Sequence, residues 1–305
     1  VLPEDAPFRA ATGGDVRPWL VLALAALAVV GYRAMLKALR NRAQSREAET
    51  MSDVKKPLFS EAELNRYARH LMLREVGGPG QRKLKEAKVL VIGAGGLGAP
   101  SLLYLAAAGV GTIGVVDDDS VESSNLQRQI IHNDMTVGMP KVFSAQEQME
   151  ALNPFITVKP YHRRLDEADA ELLFAEYDLI LDGTDNFDTR YMANRVAAKL
   201  GKPLVAAAIT QWEGQISVYD PARGGPCYEC VFPERPAPGL VPSCAEAGVI
   251  APLPGVLGAM MAMEAVKRIT GAGETLQGAM LIYDGLYAET RRIGLKPRAD
   301  CPVCH

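Results

Sequence analysis

Four of the five cysteines form two pairs with C-x-x-C spacing, Cys227/Cys230 and Cys301/Cys304. In a chain of 305 residues, this spacing is typical of metal binding rather than of a secreted disulfide framework. Two reduced pairs without a metal, or redox-active dithiols, are the alternatives. Because such thiols must stay reduced, the pattern favours a reducing compartment for this part of the chain. The fifth cysteine, Cys244, stands alone.

A glycine-rich segment with Gly93, Gly95, Gly96 and Gly98 follows an apolar run and precedes a helical pattern. Glycines at such a turn let the backbone approach a phosphate, which then lies at the N-terminus of the helix. Asp117 ends the next apolar run, at the position typical of an acid that binds a ribose. These five residues fit a nicotinamide-dependent oxidoreductase as well as an ATP-binding enzyme.

The residues that follow favour a triphosphate over a nicotinamide ring. The run from Ser124 to Arg128 supplies amide groups and a guanidinium. Arginine suits phosphate oxygens because it donates bidentate, charge-assisted hydrogen bonds. Lys141 stands at the expected start of a helix, where it is a second candidate for phosphate contact. Surface ion pairs are the alternative roles for Arg128 and Lys141.

An aspartate after another apolar strand, Asp185, is the candidate magnesium ligand, and Asn186 follows it directly. The carboxyl ends of parallel strands border the crevice in which ligands bind. Mg²⁺ prefers one or two carboxylates together with phosphate oxygens. The alternative role for Asp185 is that of a turn residue or a helix cap.

Alternating apolar strands and helices from residue 88 onward must position these side chains. We predict strands over residues 89–92, 112–116, 156–158, 179–181 and 204–207. We predict helices over residues 97–108, 139–152, 168–175 and 187–200. This alternation indicates an α/β fold with a Rossmann-like, mostly parallel sheet and helices on both faces. After residue 212, we predict a mixed, antiparallel continuation with strands over 215–219 and 279–283 and a Met- and Ala-rich helix over 253–269.

The overall composition is that of a globular protein, with 48% hydrophobic and 23% charged residues. The net charge of -3 and the pI of about 5.9 argue against a nucleic-acid partner, because nucleic-acid binding requires a basic face. A chain of this length buries a core that needs no disulfide bonds.

An uncharged apolar run over residues 19–32 sets the N-terminal part apart. It is shorter than the about 20 residues of a spanning helix, but two basic residues after it can snorkel and extend the span. Trp19 and Tyr32 suit the membrane interfaces, and the basic residues place the C-terminal side in the cytoplasm. We therefore expect an anchor helix over about residues 19–39, which tethers a cytoplasmic catalytic domain to the inner membrane.

Three other interpretations of the apolar run stay open: a signal-like segment, a buried helix, and translated sequence upstream of a natural start at Met51. A polar linker follows the run. The expected organisation is therefore an anchor and linker over residues 1–50 and an enzyme domain over residues 51–305. Ser60 and Glu63 form a capping-box pattern that opens the first helix of that domain.

Eight motifs occur in order from residue 60 onward: RYARHLML, GAGGLG, SNLQRQ, VGMPK, DGTDN, CYEC, CAEAGV and CPVC. With them the chain resembles the MoeB/ThiF/HesA family, bacterial relatives of ubiquitin-activating enzymes, and most resembles the branch that serves molybdopterin synthase. The resemblance implies ATP-dependent adenylylation of the C-terminal Gly-Gly carboxylate of a small ubiquitin-like sulfur-carrier protein, with Mg²⁺, in molybdenum cofactor biosynthesis. A thiamine-type carrier is the alternative within the family. An NAD-dependent oxidoreductase and a non-catalytic nucleotide-binding membrane scaffold are the alternatives from other classes.

The resemblance also implies roles for individual residues, and Arg69, Arg128, Lys141 and Asp185 become the expected catalytic residues. Arg69 matches an arginine that reaches into the partner subunit of a homodimer, and Asp185 matches the aspartate linked to Mg²⁺. The paired cysteines match a structural Zn²⁺ site, whose closed tetrahedral set leaves no position for water. The positions that match ATP contacts are Gly96, Asp117, Ser124, Asn125, Leu126, Gln127, Arg128, Lys141, Asp185 and Asn186.

Cys244 matches a cysteine that acts as a nucleophile in relatives that transfer sulfur or form a thioester. The other interpretation is a crossover-loop cysteine that adenylation does not need, and we favour it because reactivity requires a lowered thiol pKa. The printed sequence ends at His305 without a rhodanese-like domain, which weakens the expectation of sulfur transfer.

Overall fold

The computed structural model describes residues 17–52, 58–237 and 247–305. The chain divides into two units, residues 1–60 and residues 61–305.

The described part of the first unit is a single helix, α1 (Arg17–Ser52). Within it, Trp19–Arg42 is long and apolar enough to cross a membrane by length and composition alone. Its 24 residues correspond to about 36 Å of helix, more than the about 30 Å of a hydrocarbon core. The helix continues past residue 39, so most of the expected linker is helical. The reason is that residues 33–52 contain no Gly or Pro and are rich in helix-forming residues.

The second unit is built on one eight-stranded sheet in the order β3-β2-β1-β4-β5-β6-β7-β8. The first five strands of that order are parallel, and the last three continue the sheet in antiparallel pairing. The expected α/β fold with a mostly parallel sheet and an antiparallel continuation is confirmed. The strands are β1 (Lys88–Ile92), β2 (Thr112–Val116), β3 (Thr157–Tyr161), β4 (Leu179–Asp182), β5 (Leu204–Thr210), β6 (Glu213–Tyr219), β7 (Ala279–Asp284) and β8 (Glu289–Gly294).

Helices connect the parallel strands and cover both faces of the sheet. Those of the second unit are α2 (Glu61–Arg66), α3 (Ala68–Leu71), α4 (Gly77–Glu86), α5 (Gly98–Ala108), α6 (Lys141–Leu152), α7 (Glu167–Ala175), α8 (Phe187–Lys199), α9 (Tyr228–Val231) and α10 (Pro252–Thr270). Helix α5 ends at Gly109, whose φ of 79° gives the left-handed cap that glycine favours.

Alternate residues of the central strands enter two separate apolar clusters. In β1, Val89 and Val91 join the cluster that includes α10, whereas Leu90 joins the cluster on the other face. Because both faces are covered, the inner parallel strands β1, β2, β4 and β5 are mostly apolar, whereas the edge strand β3 contains exposed polar residues. Met261 of α10 is fully buried in the first cluster, whereas Met263 of the same helix is exposed.

Three local differences from the expected elements have steric or chemical causes. The first predicted helix breaks into α2 and α3 at Tyr67. The ring of Tyr67 occupies the space that a Cβ on Gly109 would need. Its hydroxyl accepts a 2.9 Å hydrogen bond from Asn153. Helix α4 was not predicted because it starts with the helix-breaking sequence GGPG. Strand β8 was not predicted because its polar residues are all exposed at the sheet edge.

Candidate functional site

A cavity of about 1030 Å³ opens at the carboxyl ends of the parallel strands. It lies where β1 and β4 are neighbours and the strand order reverses, the position at which open α/β sheets bind ligands. The expected site residues in its lining are Gly93, Gly95, Gly96, Asp117, Asn125, Arg128, Lys141, Asp185 and Asn186.

The glycine-rich loop between β1 and α5 forms one wall of the cavity. Gly93 has a φ of +90°, a conformation that residues with a side chain rarely adopt. A Cβ on Gly98 would lie 1.8 Å from the carbonyl oxygen of Gly93, so the turn closes only with glycine there. Gly98 is buried and packs the turn, while the other three glycines face the cavity. Of the four glycines in the sequence pattern, one therefore packs the turn and three line the cavity.

Asp117, at the end of β2, holds this loop in place. One carboxylate oxygen accepts a 2.8 Å hydrogen bond from the backbone N–H of Ala94, and the other accepts one of 2.9 Å from Asp119. Burial raises the pKa of Asp117 above its usual value, although the charge of Lys141 acts in the opposite direction. The residue expected to bind a ribose thus also supports the backbone next to it.

Lys141 is the first residue of α6, as expected, and its side chain is buried in the cavity wall. Its Nζ lies 2.7 Å from the Oδ2 of Asp119, whose side chain is 66% exposed. The ion pair is therefore not an ordinary surface pair, because the cation is buried and only the carboxylate faces water. A ligand phosphate is able to replace an exposed carboxylate as the partner of a buried ammonium.

Arg128 lies beside the glycine-rich loop, where a Cβ on Gly96 would lie 4.0 Å from its Cδ, and it is half-buried. Its Nη1 donates to the backbone oxygen of Ser124 at 3.3 Å. The chain turns tightly here because Asn125 and Glu122 form a capping box on a short 3₁₀ helix. Of the described residues, Ser124, Leu126 and Gln127 are near this turn but not in the cavity lining, and Gln127 donates instead to Val249.

The loop between β4 and α8 forms a second wall, and its Gly183 packs against the glycine-rich loop. Asp185 and Asn186 are exposed there, and the Oδ1 of Asn186 caps α8 by accepting from the N–H of Thr189 at 2.8 Å. The cap role that was considered for Asp185 therefore belongs to its neighbour. Asp182 is the buried carboxylate of this loop, and it pairs with Arg190 at 3.2 Å.

The sequence analysis missed four polar residues around the cavity: Gln129, His132, Asp182 and Arg190. The amide oxygen of Gln129 is buried without a hydrogen-bond partner in the described structure. His132 connects two cavity walls, because its Nε2 lies 3.0 Å from Ala94 O and its Nδ1 lies 2.8 Å from the Oγ of Ser144 on α6. Burial lowers the pKa of His132, which favours the neutral ring. Gln129 and Asp182 lie within the motifs SNLQRQ and DGTDN, whereas nothing local marks His132 and Arg190. The roles of all four depend on residues that are distant in sequence or on burial in the folded chain.

Two groups of the described side chains have the chemistry of metal ligands. The carboxylates of Asp117, Asp118 and Asp119 place oxygens within 4.8 Å of one another, and two of the three residues are exposed. Asp185, the expected magnesium ligand, lies outside this group. The second group is formed by the four paired cysteines.

The cysteine cluster fits a tetrahedral zinc ion. The sulfur of Cys227 lies 3.8 Å from that of Cys230 and 3.5 Å from that of Cys301, and the sulfur of Cys304 lies 3.4 Å from that of Cys230. Zinc–sulfur bonds of about 2.3 Å place tetrahedral ligands about 3.8 Å apart. Burial raises the pKa of the Cys227 thiol. Burial also acts to raise the pKa of Cys301, but backbone N–H donors lower it to about 7, which favours a thiolate.

The two remaining expected site residues are not in the described lining. Arg69 lies exposed on α3. In the described structure it does not border the cavity of its own chain. Cys244 lies outside the described residues. Its expected role is therefore still a prediction, as is the reach of Arg69 into a partner subunit.

Comparison with known proteins identifies the class. The ThiF family model matches residues 67–303. The sulfur carrier protein adenylyltransferase of Thermus thermophilus is 49% identical over 250 residues, which are 81% of this chain and 92% of that protein. The probable adenylyltransferase/sulfurtransferase MoeZ of Mycobacterium tuberculosis is 52% identical over 247 residues, 80% of this chain but only 63% of MoeZ.

The fold has solved counterparts as well. The crystal structure of E. coli MccB has a TM-score of 0.69 and 24% identity, and the match covers 79% of this chain and 72% of MccB. The chain belongs to the ThiF family and is an enzyme of its adenylyltransferase class, which uses ATP. This membership favours adenylyl transfer over the oxidoreductase that the glycine-rich loop alone also fitted.

Proposed function

We propose that this enzyme adenylylates the C-terminal carboxylate of a small ubiquitin-like sulfur-carrier protein. The observation that carries the proposal is the cavity, where a glycine-rich loop, Arg128 and a buried Lys141 meet at the point of strand-order reversal. The name of the Thermus thermophilus relative, a sulfur carrier protein adenylyltransferase, supports the choice of substrate.

The chemistry requires positioning and charge stabilisation rather than proton removal. A carboxylate is already ionised at neutral pH, so it attacks the α-phosphorus of ATP without a general base. Pyrophosphate leaves, and an acyl-adenylate forms on the carrier. Arg128 and Lys141 stabilise the negative charge on the phosphates, while the glycine-rich loop lets the backbone approach them.

The cavity also offers a path for an extended peptide tail. Its lining continues from β5 over the antiparallel part of the sheet, through Thr210, Gly214 and Gln215 to Ile282 of β7. A Gly-Gly terminus suits such a path, because a backbone without side chains is able to approach the strands closely.

The carrier we favour is of the molybdopterin-synthase small-subunit type, which places the enzyme in molybdenum cofactor biosynthesis. A thiamine-type carrier is the alternative. We also propose Mg²⁺ bound with ATP near Asp185, where it would neutralise phosphate charge. Zn²⁺ at Cys227, Cys230, Cys301 and Cys304 would pin the C-terminal tail and contribute to folding.

The assembly is proposed to be a homodimer in which Arg69 of one subunit completes the cavity of the other. The exposure of Arg69 on a short helix leaves it accessible for such a role. We further propose that α1 tethers the catalytic unit to the cytoplasmic face of the inner membrane. The length and hydropathy of Trp19–Arg42 support this part of the proposal.

The test is ATP–pyrophosphate exchange with purified enzyme and each of the two carrier types. We expect exchange that depends on one carrier, and loss of exchange when that carrier lacks its terminal glycine. Exchange with the thiamine-type carrier alone would move the enzyme to the other branch. Hydride transfer from added NADH, without carrier-dependent exchange, would support the oxidoreductase alternative instead.

A further inference from the structure

A buried path of side chains connects the cysteine cluster to the nucleotide cavity. It begins at Tyr228, which follows Cys227 in α9 and is only 3% exposed. The same tyrosine lines the cavity. One side chain therefore belongs both to the short helix that the cysteines hold and to the wall that faces the nucleotide.

The next step of the path is a contact between Tyr228 and Arg190. The guanidinium carbon of Arg190 lies 5.9 Å from the centroid of the tyrosine ring, within the range of a cation–π interaction. The backbone N–H of Tyr228 also donates to the Oδ1 of Asn194 at 2.7 Å. Because Arg190 and Asn194 both belong to α8, the side chain and the backbone of Tyr228 are fixed to the same helix.

Arg190 then fixes the loop that carries Asp185. Its Nε lies 3.2 Å from Oδ2 of Asp182, and its Nη2 donates to the carbonyl of Thr184 at 2.7 Å. The other oxygen of Asp182 accepts from the N–H of Thr184 at 3.0 Å and from its hydroxyl at 2.6 Å. Thr184 is thus held through its carbonyl, its amide and its side chain, directly before Asp185.

This arrangement resists independent movement of its parts. Asp182 is fully buried and Arg190 is 5% exposed, so separating them would leave an unpaired buried charge. Burial alone would lower the pKa of Arg190, but the Asp182 carboxylate raises it, which keeps the guanidinium charged. A shift of α9 would therefore change the contact on Arg190 and be transmitted to the loop at Asp185.

We propose that Tyr228 and Arg190 are positioning residues that couple metal binding at the cysteine cluster to nucleotide binding in the cavity. The inference rests on the proposed function for the identity of the nucleotide. Coupling of this kind is reciprocal at equilibrium: bound ATP raises the affinity for the metal by the same factor by which bound metal raises the affinity for ATP. The cysteine cluster then takes part in the response of the catalytic unit to ATP, in addition to holding the C-terminal tail in place.

The experiment measures the rate at which the zinc-loaded full chain transfers Zn²⁺ to a chromogenic chelator, with and without saturating ATP and Mg²⁺. We expect ATP to slow the transfer about fivefold or more in the wild-type enzyme, because ordinary coupling changes affinity by at least that factor and affinity differences lie mostly in the dissociation rate. The variant Tyr228→Leu should retain zinc but lose this protection, and its KM for ATP should rise more than its kcat falls.

The matched control is Tyr177→Leu. Tyr177 belongs to the same apolar cluster as Tyr228 and is also buried, at 1% exposure. In the described structure it does not line the cavity. This control should lose stability but keep the protection of zinc by ATP. Equal loss of protection in both variants would overturn the inference, because it would mean a general packing effect.

The wild-type measurement decides the inference even where a variant fails to fold. Equal rates of zinc transfer with and without ATP, at ATP concentrations that raise the thermal unfolding midpoint, would overturn the coupling and leave the proposed function intact. Failure of the cysteines to hold Zn²⁺ would overturn it as well. Absence of ATP binding would instead overturn the proposed function, and the inference with it.

Discussion

The nucleotide cavity and the cysteine cluster satisfy their polar groups in opposite ways. In the cavity, the buried ammonium of Lys141 is paired with Asp119, a carboxylate that is 66% exposed. Arg128 donates to a single backbone oxygen at 3.3 Å. In the cluster, by contrast, three of the four cysteines are buried, and their sulfurs contact one another at 3.4 to 3.8 Å.

The difference shows how one unit separates chemistry from stability. A cation whose partner is exposed is able to exchange that partner for a phosphate, because water and ligand reach the pair from the same side. A closed set of four cysteine sulfurs leaves no open position for a substrate, so the proposed zinc ion would contribute to folding and would not itself take part in the reaction. The buried path through Tyr228 and Arg190 is the described connection between the two regions.

The largest expected effect is on catalysis, and it tests the cavity side of the comparison. Replacing Arg128 with alanine should lower carrier-dependent ATP–pyrophosphate exchange by about 10²–10³-fold, because a group that stabilises developing charge is lost. The thermal unfolding midpoint should change little. The control is Arg195→Ala, since Arg195 is an α8 arginine whose described ion pairs are with Glu167 and Glu229. Comparable loss of exchange in the control would refute the role of Arg128.

A mixing experiment tests whether one chain contains the complete cavity. Arg69→Ala and Asp185→Ala chains should each lose exchange as homodimers. A heterodimer of the two should recover part of it, because one of its sites would have both residues intact. Exchange assays on demonstrably mixed dimers provide the measurement. If they show no recovery, Arg69 acts within its own chain or has no catalytic role.

On the side of the cysteine cluster, Cys301→Ser should affect stability more than chemistry. We expect loss of the one Zn²⁺ per chain and a fall of roughly 10 °C in the unfolding midpoint, since each kcal/mol shifts it by about 2–4 °C. Exchange per folded molecule should fall less than in Arg128→Ala. Elemental analysis and thermal unfolding provide the measurements. Freshly prepared, reduced wild-type protein without zinc would contradict this expectation.

The burial of His132 beside the cavity predicts a pH-dependent effect on folding stability, which is smaller than the effects described above. Burial lowers the pKa of His132 below 6.5, so the unfolded chain binds a proton before the folded chain does as the pH falls. Stability from this group is therefore fully present above pH 6.5 and is lost between pH 6.5 and the lower folded pKa. Denaturant unfolding should show that His132→Asn is less sensitive to pH in this window. An identical pH dependence of the two proteins would contradict the expectation, and His162→Asn on the exposed surface is the control.

The smallest effect on catalysis is expected from removal of the N-terminal unit. Residues 51–305 alone should keep the exchange activity, because every lining residue of the cavity lies beyond residue 90. The full-length chain should sediment with membranes and be released by detergent but not by high salt. Recovery of the intact full-length chain entirely in the soluble fraction would refute the anchor, without affecting the adenylylation proposal.

Much of the fold could be predicted from local patterns. The strand at Thr112–Val116 has the expected bounds, and α5 ends at Ala108, as expected. These elements follow from apolar runs and glycine positions, which act over a few residues. The break at Tyr67 could not be predicted in this way, because it depends on Gly109 and Asn153, which are far away in sequence.

The sequence by itself determined which chemical groups are available. The glycine-rich loop, the Arg128–Lys141 pair and the two C-x-x-C pairs are visible as types and spacings, because each motif is local. Only the tertiary structure decided how these groups are satisfied. It brings together sulfurs from residues 74 positions apart, and it assigns the buried partner of Arg190 to Asp182 rather than to Asp185. The physical reason is that hydrogen bonding and burial depend on distances in the folded chain, which spacing along the sequence does not specify.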